Sequence, residues 1–305
     1  MLKKPDIPQL SFKSLRLKPR ENRAHKVSIS LLGKPTEAGA SFVEWFAAMP
    51  GFLGANELRS TVDAVVAARQ AGKPVVFAFG GHIVKTGCSP LVIDLMQRGV
   101  ITAIATNGSG AIHDLELAET GQTSEEVADT IRDGSFGMVI ETCAQMIEAA
   151  RRGATGVGLG RGVGEVIRAA SAPHAAQSLF AEAARLDLPA TVHVALGTDT
   201  VHMHPEANGN EIGTASMIDF RTLCGVVAAM DSQADEPGGV WLNFGSAVIM
   251  PEVFLKAVSV ARNLGFPLRR LQTANFDMLR HYRPTQNVIT RPVEKGMGHQ
   301  VTGHH

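Results

Sequence analysis

Short apolar segments alternate with helical segments over most of this 305-residue chain, and this alternation restricts the fold more than any other feature. Each apolar segment is hydrophobic at successive positions, which indicates a strand buried on both faces. Strands of this kind, separated by helices, form parallel sheets that carry helices on both sides. The sequence therefore predicts an α/β domain. Its strands are expected at 74–79, 101–106, 189–196, 239–244 and 268–274.

Capping residues and glycines bound the predicted helices. These helices are expected at 56–72, 88–99, 124–134, 137–153, 175–187, 216–230 and 251–265. Residues 1–35 show no lasting period, and proline, lysine and arginine recur there. We therefore expect an irregular N-terminal arm over 1–35, followed by a single α/β domain over 36–305.

The charge of the chain is balanced, with 29 basic and 29 acidic residues. This balance does not favour nucleic acid or an anionic membrane as a partner, so a small molecule is expected. Three cysteines, Cys88, Cys143 and Cys224, lie far apart, which argues against a disulfide framework or a cysteine-rich zinc site. No apolar leader and no run of 18 apolar residues occurs, so we expect a cytoplasmic protein.

Small and hydrogen-bonding residues follow every predicted strand. In open α/β sheets, ligands bind in the crevice beyond the carboxyl ends of the strands. Glycines there let a ligand approach the backbone, and helix N-termini offer N–H groups to phosphate oxygens. We interpret this edge as a nucleotide site, although no loop has the complete GxGxxG spacing. The segments are 80–82, 106–110, 197–199, 243–246 and 273–275.

Charged side chains near the first two of these loops are candidates for chemistry. Lys85 follows the first strand and could form a Schiff base or neutralise a phosphate. His113, Asp114 and Glu116 lie at the start of the helix after the second strand. Acidic residues there either favour the helix dipole or bind a substrate amine, and both interpretations stay open.

Two other motifs have weaker interpretations. His202 and His204, in HVALGTDTVHMHPE, could ligate zinc or iron as in metal-dependent hydrolases, although such histidines more often only line a polar cleft. The expected site therefore includes no metal. The glycine-rich segment 156–165 does not follow a predicted strand, so we interpret it as a turn or flexible link.

The order of these segments resembles that of the deoxyhypusine synthase family. The stretch VVFAFGGHIVKTGCSPLVIDLMQRGVITAIATNGSGAIHDLE is similar to the first NAD-binding part of that family. SLFAEAARLDLPATVHVALGTD, DFRTLCGVV, GGVWLNFGSAVIMPEVFLKA and LQTANFD follow in the order of the family's later segments. The likeness extends from Val75 to Asp277, although each motif is degenerate.

The resemblance implies a doubly wound, mostly parallel Rossmann-like sheet, NAD as cofactor, and a homotetramer with sites at subunit interfaces. In the family's reaction, NAD accepts a hydride from spermidine, and the aminobutyl group passes through an imine to a lysine. The cofactor-binding residues expected from the resemblance and the strand ends are Gly80, Gly81, Thr106, Asn107, Gly108, Ser109, Thr198, Asp199, Gly245, Ser246, Thr273 and Ala274. Expected catalytic residues are Lys85, His82 and Asp114, and expected substrate-binding residues are Glu116, Asp199 and His202.

One departure from the family pattern concerns its catalytic lysine. That lysine lies in a Gly-Val-Val-Lys-His-His type turn, and GSAVIMPE places Met250, Pro251 and Glu252 at the corresponding positions. Methionine cannot form an imine, and Lys256 lies farther along a predicted helix. Lys85 is at the right edge of the sheet to replace it.

Three functions are compatible with these residues. The leading hypothesis is an NAD-binding, deoxyhypusine synthase-like protein that dehydrogenates a small amine or polyamine without the usual lysine imine. The alternatives are a non-catalytic nucleotide-binding protein and a metal-dependent hydrolase that uses His202 and His204.

Overall fold

The computed structural model describes residues 4–233 and 235–304, and the chain divides into two compact units, 1–52 and 53–305. In the first unit, every residue from 4 to 39 is exposed, and the backbone forms short 3₁₀ turns. Helix α1 (Phe42–Ala48) begins at Ser41, whose side chain and backbone exchange hydrogen bonds with Glu44 in a capping box. The 3₁₀ turns are Phe12–Ser14, Arg20–Asn22 and Ile29–Leu31.

The second unit is built on one six-stranded sheet in which every pairing is parallel. Its strands are β1 (Val75–Phe79), β2 (Ala103–Asn107), β3 (Ala190–His193), β4 (Val240–Phe244), β5 (Gln272–Asp277) and β6 (Gly298–Thr302). The spatial order is β3-β2-β1-β4-β5-β6. This is the strand order of doubly wound dinucleotide-binding domains, so the predicted fold class is confirmed.

Helices connect the strands and cover both faces of the sheet. They are α2 (Leu53–Gln70), α3 (Gly81–Lys85), α4 (Ser89–Gln97), α5 (Gly108–Thr120), α6 (Val127–Thr130), α7 (Ile140–Arg152), α8 (Leu159–Ala169), α9 (Leu179–Leu186), α10 (Gly209–Ala229), α11 (Ile249–Asn263) and α12 (Tyr282–Pro284). Two π-helical turns, Gly153–Val157 and Thr285–Thr290, and two 3₁₀ turns, Ala175–Gln177 and Thr200–Met203, are the other helical elements in the described part of this unit.

Alternate residues of the strands enter different cores, as a strand buried on both faces requires. On one face, Phe77 and Phe79 pack with α4, α5 and α9. On the other face, Val76, Ala78 and Trp241 pack with α10 and α11, and the Trp241 ring stacks on Phe254 with 4.2 Å between centroids. The apolar segments that predicted β1 and β4 are therefore explained by burial on both sides.

Several predicted elements differ from the structure at their ends or in their type, and the local cause is visible for two of them. The segment 268–271 is a turn rather than strand, because the Leu268 N–H donates to Asp231 Oδ1 at 2.6 Å and the strand begins only at Gln272. The predicted helix 124–134 is reduced to α6, because Ser124 adopts a positive φ of 69° that a helix does not allow. Strand β6 was not expected from the sequence.

The glycine-rich segment 156–165 is not a flexible link, which corrects the prediction: it forms a turn that continues into α8. Its glycines allow close packing, because a Cβ at Gly160, Gly162 or Gly164 would collide with a backbone carbonyl of β3, α7 or α9. Gly158, with φ of +89°, ends the turn directly beside the carboxylate of Asp219.

Helix α10 is long and apolar enough to cross a membrane by length and composition, with a mean hydropathy of 1.3. A helix that covers the core of a soluble protein meets the same criteria. Leu223 and Val227 of α10 pack against the sheet, and Asp219 on the same face bonds to the backbone of β3. We therefore describe α10 as a covering helix of the α/β unit.

The carboxylate of Asp219 links α10 to α8 and β3 by hydrogen bonds. It accepts hydrogen bonds from the N–H of Gly160 at 2.8 Å and of Val192 at 2.7 Å. Burial raises the pKa of Asp219 to about 7, although these backbone hydrogen bonds act in the opposite direction. Protonation of this one side chain is thus linked to folding near neutral pH.

We predict that the stability contributed by Asp219 decreases as the pH rises. The pKa of Asp219 in the folded protein lies above its ordinary value of 3.8, so its contribution is fully present below about pH 3.8 and is lost as the pH rises through about 7. A pKa difference of about 3 corresponds to about 4 kcal/mol. In urea unfolding from about pH 5 to pH 8, the unfolding free energy of the wild type should fall relative to that of Asp219→Asn as the pH rises.

The exposed Asp63→Asn variant is the matched control, because it removes a carboxylate from α2 that is not buried. Its pH profile should follow the wild type. Equal slopes in all three proteins would contradict the linkage.

Candidate functional site

The crevice of the sheet lies between β1 and β4, where the chain changes direction across the sheet. The Gly80 N–H donates to the carbonyl of Phe244 at 3.1 Å, which holds the ends of the two strands together. A Cβ at Gly80 would collide with the carbonyl oxygen of Gly245. The two loops are therefore in contact, and only glycine fits at Gly80.

The direct junction of β2 and α5 is stabilised by side chains at the end of β2. Asn107 caps α5, with its Oδ1 accepting from the N–H of Gly110 at 3.2 Å. Thr106 Oγ1 donates to the carbonyl of Phe79 at 2.7 Å and ties this junction to the end of β1. Because Gly81 has no side chain, Ser109 packs directly against the start of α3. These expected cofactor residues thus lie at one edge.

Asp199 lies beside the N-terminus of α5, where its carboxylate packs on Gly108. A negative charge is favourable there because of the helix dipole. Burial raises the pKa of Asp199, while His202 at 3.8 Å lowers it. An anionic ligand at this helix end would meet that carboxylate, so phosphate groups fit better on the side of Gly80 and Gly245.

His202 fastens the loop after β3 rather than facing a ligand. Its Nδ1 accepts from the backbone N–H groups of Gly197 at 3.2 Å and Asp199 at 3.3 Å, and its side chain is 8% exposed. His204 Nδ1 accepts from the N–H of Glu206 at 3.2 Å. Among residues 4–233 and 235–304, no three His, Cys, Asp or Glu side chains are grouped to hold a metal ion.

A cavity of about 470 Å³ opens beside these loops. It unites Lys85 from α3, Ser109 and Glu116 from α5, and Thr198 and Asp199 from the loop after β3. The remaining polar lining residues are His113, Thr120, Gln122, Thr123, Ser124, Glu125, Thr142 and Thr200. Five of the residues expected from the sequence therefore surround one cavity.

Glu116 is the centre of a hydrogen-bonded cluster in this cavity. Its Oε2 accepts from the hydroxyl of Thr123 at 2.5 Å, and its Oε1 accepts from the hydroxyl of Thr142 at 3.1 Å. The Nδ1 atom of His113 lies 2.7 Å from the Thr123 oxygen and 3.9 Å from Glu116 Oε2. These bonds join α5 to the loop after it and to α7.

Glu116 remains ionised in this environment. Burial alone would raise the pKa of Glu116, but the neighbouring His113 and the hydrogen bonds from Thr123 and Thr142 outweigh it and hold the pKa below its ordinary value. The acids lining the cavity are Glu116, Glu125 and Asp199, while Lys85 is the one lysine or arginine among the described lining residues. This balance favours a cationic ligand.

Asp114, which the sequence suggested as catalytic, lies on the opposite side of α5 from the cavity. It is fully buried and accepts from the hydroxyl of Ser178 at 2.6 Å and from the N–H groups of Leu179 and Phe180 at 2.8 and 3.2 Å. Burial raises its pKa to about 6, while those bonds act in the opposite direction. Asp114 therefore anchors the start of α9 and is left out of the candidate site.

Thr273 and Ala274 were expected in a turn, and the structure places both inside β5, fully buried. The hydroxyl of Thr273 donates to the carbonyl of Val288 at 2.7 Å. These two side chains do not reach the edge of the sheet, which corrects their assignment to the cofactor. The strand continues to Asp277 because its polar residues are paired within the sheet.

The other expected residues divide between the crevice and the surface. Ser246 is buried after β4, where its Oγ accepts from the N–H of Met250 at 3.2 Å. Met250 is itself fully buried, and Lys256 forms an exposed ion pair with Glu252 on α11. His82 is exposed on α3 and is not part of the cavity lining.

Seven polar residues of the cavity lining were not expected from the sequence: Thr120, Gln122, Thr123, Ser124, Glu125, Thr142 and Thr200. His113 was a candidate from its position beside Glu116 at the start of α5, and the structure places it in the cavity lining. Thr123 and Thr142 carry no comparable sequence signal, because the loop and α7 approach α5 only in the folded chain.

Comparisons with known proteins support the fold. No protein-family model and no curated protein matches the sequence. Unliganded AgrE is similar in structure, with a TM-score of 0.50 and 15% identity over 81% of this chain and 30% of that chain. The same protein is known in a ternary complex with ornithine and NAD⁺, which compares with a TM-score of 0.47 and 17% identity, covering 81% and 31%.

Two further solved structures are similar. A provisionally assigned LOR/SDH protein from Methanococcus maripaludis S2 has a TM-score of 0.49 and 15% identity, covering 81% of this chain and 65% of that chain. A provisionally assigned deoxyhypusine synthase from Entamoeba histolytica has a TM-score of 0.48 and 11% identity, covering 89% and 91%. The chain thus spans less than two thirds of the M. maripaludis protein and about a third of AgrE. At these identities the likeness concerns the fold alone.

The contact between the β1 and β4 loops predicts the effect of a methyl group at Gly80. Gly80→Ala should destabilise the protein by about 1–3 kcal/mol, because the added Cβ meets a backbone carbonyl that cannot rotate away. The backbone of Gly80, at φ −100° and ψ 168°, is one that alanine adopts freely. The matched control is Gly213→Ala inside α10, where the new Cβ meets no atom within 4 Å and should be neutral or stabilising. Equal urea midpoints for the two variants would contradict the packing argument.

Proposed function

We propose that this chain binds NAD in the crevice between β1 and β4 and acts on a small amine in the adjacent cavity. The observation that carries the proposal is that the crevice and an acid-lined cavity of about 470 Å³ occur together at the carboxyl edge of the sheet. Ligands of open α/β sheets bind at this place. The proposed reaction class is dehydrogenation of the amine, with NAD supplying hydride acceptance when it is bound.

The residues of the crevice fit a dinucleotide. Gly80 and Gly81 let the loops at the two strand ends pack closely, and the partly exposed Gly245 has no side chain that would hinder a phosphate group. Helix α11 begins shortly after Ser246 and is 15 residues long, so its N-terminal dipole favours negative charge nearby. In the AgrE ternary complex, a protein of similar fold binds NAD⁺. The present chain would hold the cofactor with the two loops that meet at Gly80.

The cavity fits a cationic substrate. Glu116, Glu125 and Asp199 line it, against the single ammonium group of Lys85. These carboxylates would stabilise a protonated amine, and the positive charge of the amine would neutralise part of their negative charge. Linear polyamines and diamino acids belong to the class of ligands with this charge, and we propose that the substrate is one of them.

The reaction does not use the enzyme lysine of the deoxyhypusine synthase family. Met250 occupies the corresponding position and is fully buried, so no amino group is available there to receive an aminobutyl group. Lys85 lies at the cavity, where its Nζ would contact substrate or cofactor. The buried Met250 also favours a second candidate, a protein that binds NAD and an amine without turnover.

We also propose that the protein is a cytoplasmic homo-oligomer. The expected state is a tetramer, as in the deoxyhypusine synthase family that the sequence resembles. An exposed apolar groove of about 750 Å³ between α10 and α11 supports self-association, because monomers rarely leave such a surface uncovered. The three cysteines Cys88, Cys143 and Cys224 are all free thiols, which suits a reducing compartment.

Calorimetry with NAD⁺ and then with spermidine or ornithine tests the proposed function. We expect saturable NAD⁺ binding to the wild type, followed by amine binding. Glu116→Gln should weaken amine binding tenfold or more, because a hydrogen bond to a charged group contributes about 1.5–3 kcal/mol. Its affinity for NAD⁺ should stay within about twofold of the wild type, since the crevice is intact.

Glu141→Gln is the control, because it removes one negative charge from the exposed start of α7, outside the cavity lining. Growth of the absorbance of reduced NAD on amine addition separates the dehydrogenase from the non-catalytic candidate. Absence of NAD⁺ binding to the wild type would refute the proposal, and so would equal amine affinities for Glu116→Gln and the wild type.

A further inference from the structure

The side chain of His113 occupies the boundary between the crevice and the cavity. It lies on α5, is 16% exposed, and contributes to the cavity lining. A Cβ at Gly81 would be 3.0 Å from its ring carbon Cδ2, so the ring packs directly on the first glycine of α3. His113 is therefore within reach of both a ligand in the cavity and a ligand in the crevice.

The hydrogen bonds around Thr123 determine which nitrogen of His113 carries a proton. A threonine hydroxyl has one hydrogen, and the Thr123 hydroxyl donates it to Glu116 Oε2 at 2.5 Å. A carboxylate can only accept, and the lowered pKa of Glu116 keeps it ionised. The Thr123 oxygen must then accept from His113 across the 2.7 Å contact, so the proton is on Nδ1.

The other nitrogen of the ring is left with its lone pair. No described residue forms a hydrogen bond with His113 Nε2, while the ring lines the cavity. A neutral imidazole with Nδ1–H bonded to an acceptor is the state in which Nε2 accepts a proton most readily. The carboxylate of Glu116, 3.9 Å from Nδ1, stabilises the imidazolium that forms.

We propose that His113 is the general base of this site, taking a proton at Nε2 from the ammonium group of an amine substrate. This inference rests on the proposed function, because it needs an amine in the cavity. An N–H bond of the ammonium group breaks and an N–H bond forms at Nε2, so the amine nitrogen regains its lone pair. An amine must lose this proton before its carbon can give up a hydride. Glu116 and Thr123 act through His113 as positioning residues.

The ionisable groups around His113 come from four parts of the chain. Glu116 is on the same helix, Lys85 on α3 and Asp199 in the loop after β3 line the same cavity, and Glu125 follows Thr123 in the loop after α5. The Glu125 carboxylate accepts from the N–H of Gly137 at 2.7 Å and Asp199 packs on Gly108. Glu116 is the acid joined to His113 through a hydrogen-bonded bridge.

The tautomer can be measured in the ligand-free protein. Two-bond ¹H–¹⁵N spectra of the imidazole rings at about pH 8.5, where free imidazole side chains are neutral, report which nitrogen is protonated. His113→Gln identifies the resonances among the 11 histidines. We expect Nδ1–H in the wild type and a shift towards Nε2–H in Thr123→Val, which removes the hydroxyl but keeps the shape. Nε2–H in the wild type would overturn the inference.

Thr142→Val is the matched control, because Thr142 also donates to Glu116 but does not contact His113. It should keep the wild-type tautomer. With NAD⁺ and spermidine present, His113→Gln should lower the rate of NAD reduction 10²-fold or more, with NAD⁺ affinity unchanged. Thr123→Val should lower kcat more than it raises KM.

Failure of this inference is distinguishable from failure of the proposed function. If the wild type binds NAD⁺ and amine but has Nε2–H, or if His113→Gln keeps its rate of NAD reduction, the base is another group and the proposed function stands. If the wild type binds no amine, the proposed function fails and His113 has no proton donor to act on, so the inference fails with it.

Discussion

The contact between β1 and β4 is the constraint on which the rest of the site depends. Val75 to Phe79 pair with β4 on one side and with β2 on the other, so the chain must leave β1 in one direction and return to it from the other. This reversal opens a crevice at the carboxyl edge. Because Gly80 touches the carbonyl of Gly245, the two loops at the mouth of the crevice are fixed relative to each other.

Glu116 is the ionised acid at the centre of the neighbouring cavity's hydrogen-bonded cluster. A half-buried carboxylate is costly unless hydrogen bonds compensate for lost hydration, and here two threonine hydroxyls supply them. One of these hydroxyls also orients His113, so the group that attracts a cation fixes the tautomer of the histidine beside it. Charge recognition and proton acceptance are thus properties of one cluster, while Asp114, two residues before Glu116, serves the packing of α9 instead.

The sequence predicts an element where burial produces a local hydrophobic pattern. It does not predict an element whose structure depends on contacts with residues distant in sequence. The apolar runs of β1 and β4 identify these strands, whereas β6 has the polar sequence GHQVT and depends on distant contacts, such as that of His299 with Glu57 at 2.8 Å. Asn275 in β5 resembles a turn residue, yet its Oδ1 accepts from Asn243 at 2.7 Å inside the sheet. The glycines and Glu116 follow from strand ends, but Thr142 reaches Glu116 across 26 residues of sequence.

A crystal structure of this chain grown with saturating NAD⁺ and spermidine tests the central claim most directly. The account predicts that the dinucleotide lies along Gly80, Gly81, Gly245 and Ser246. The amine nitrogen should lie in the cavity within hydrogen-bond distance of His113 Nε2. A dinucleotide bound away from the β1 and β4 loops, or an amine bound outside the cavity that contains Glu116, would contradict it.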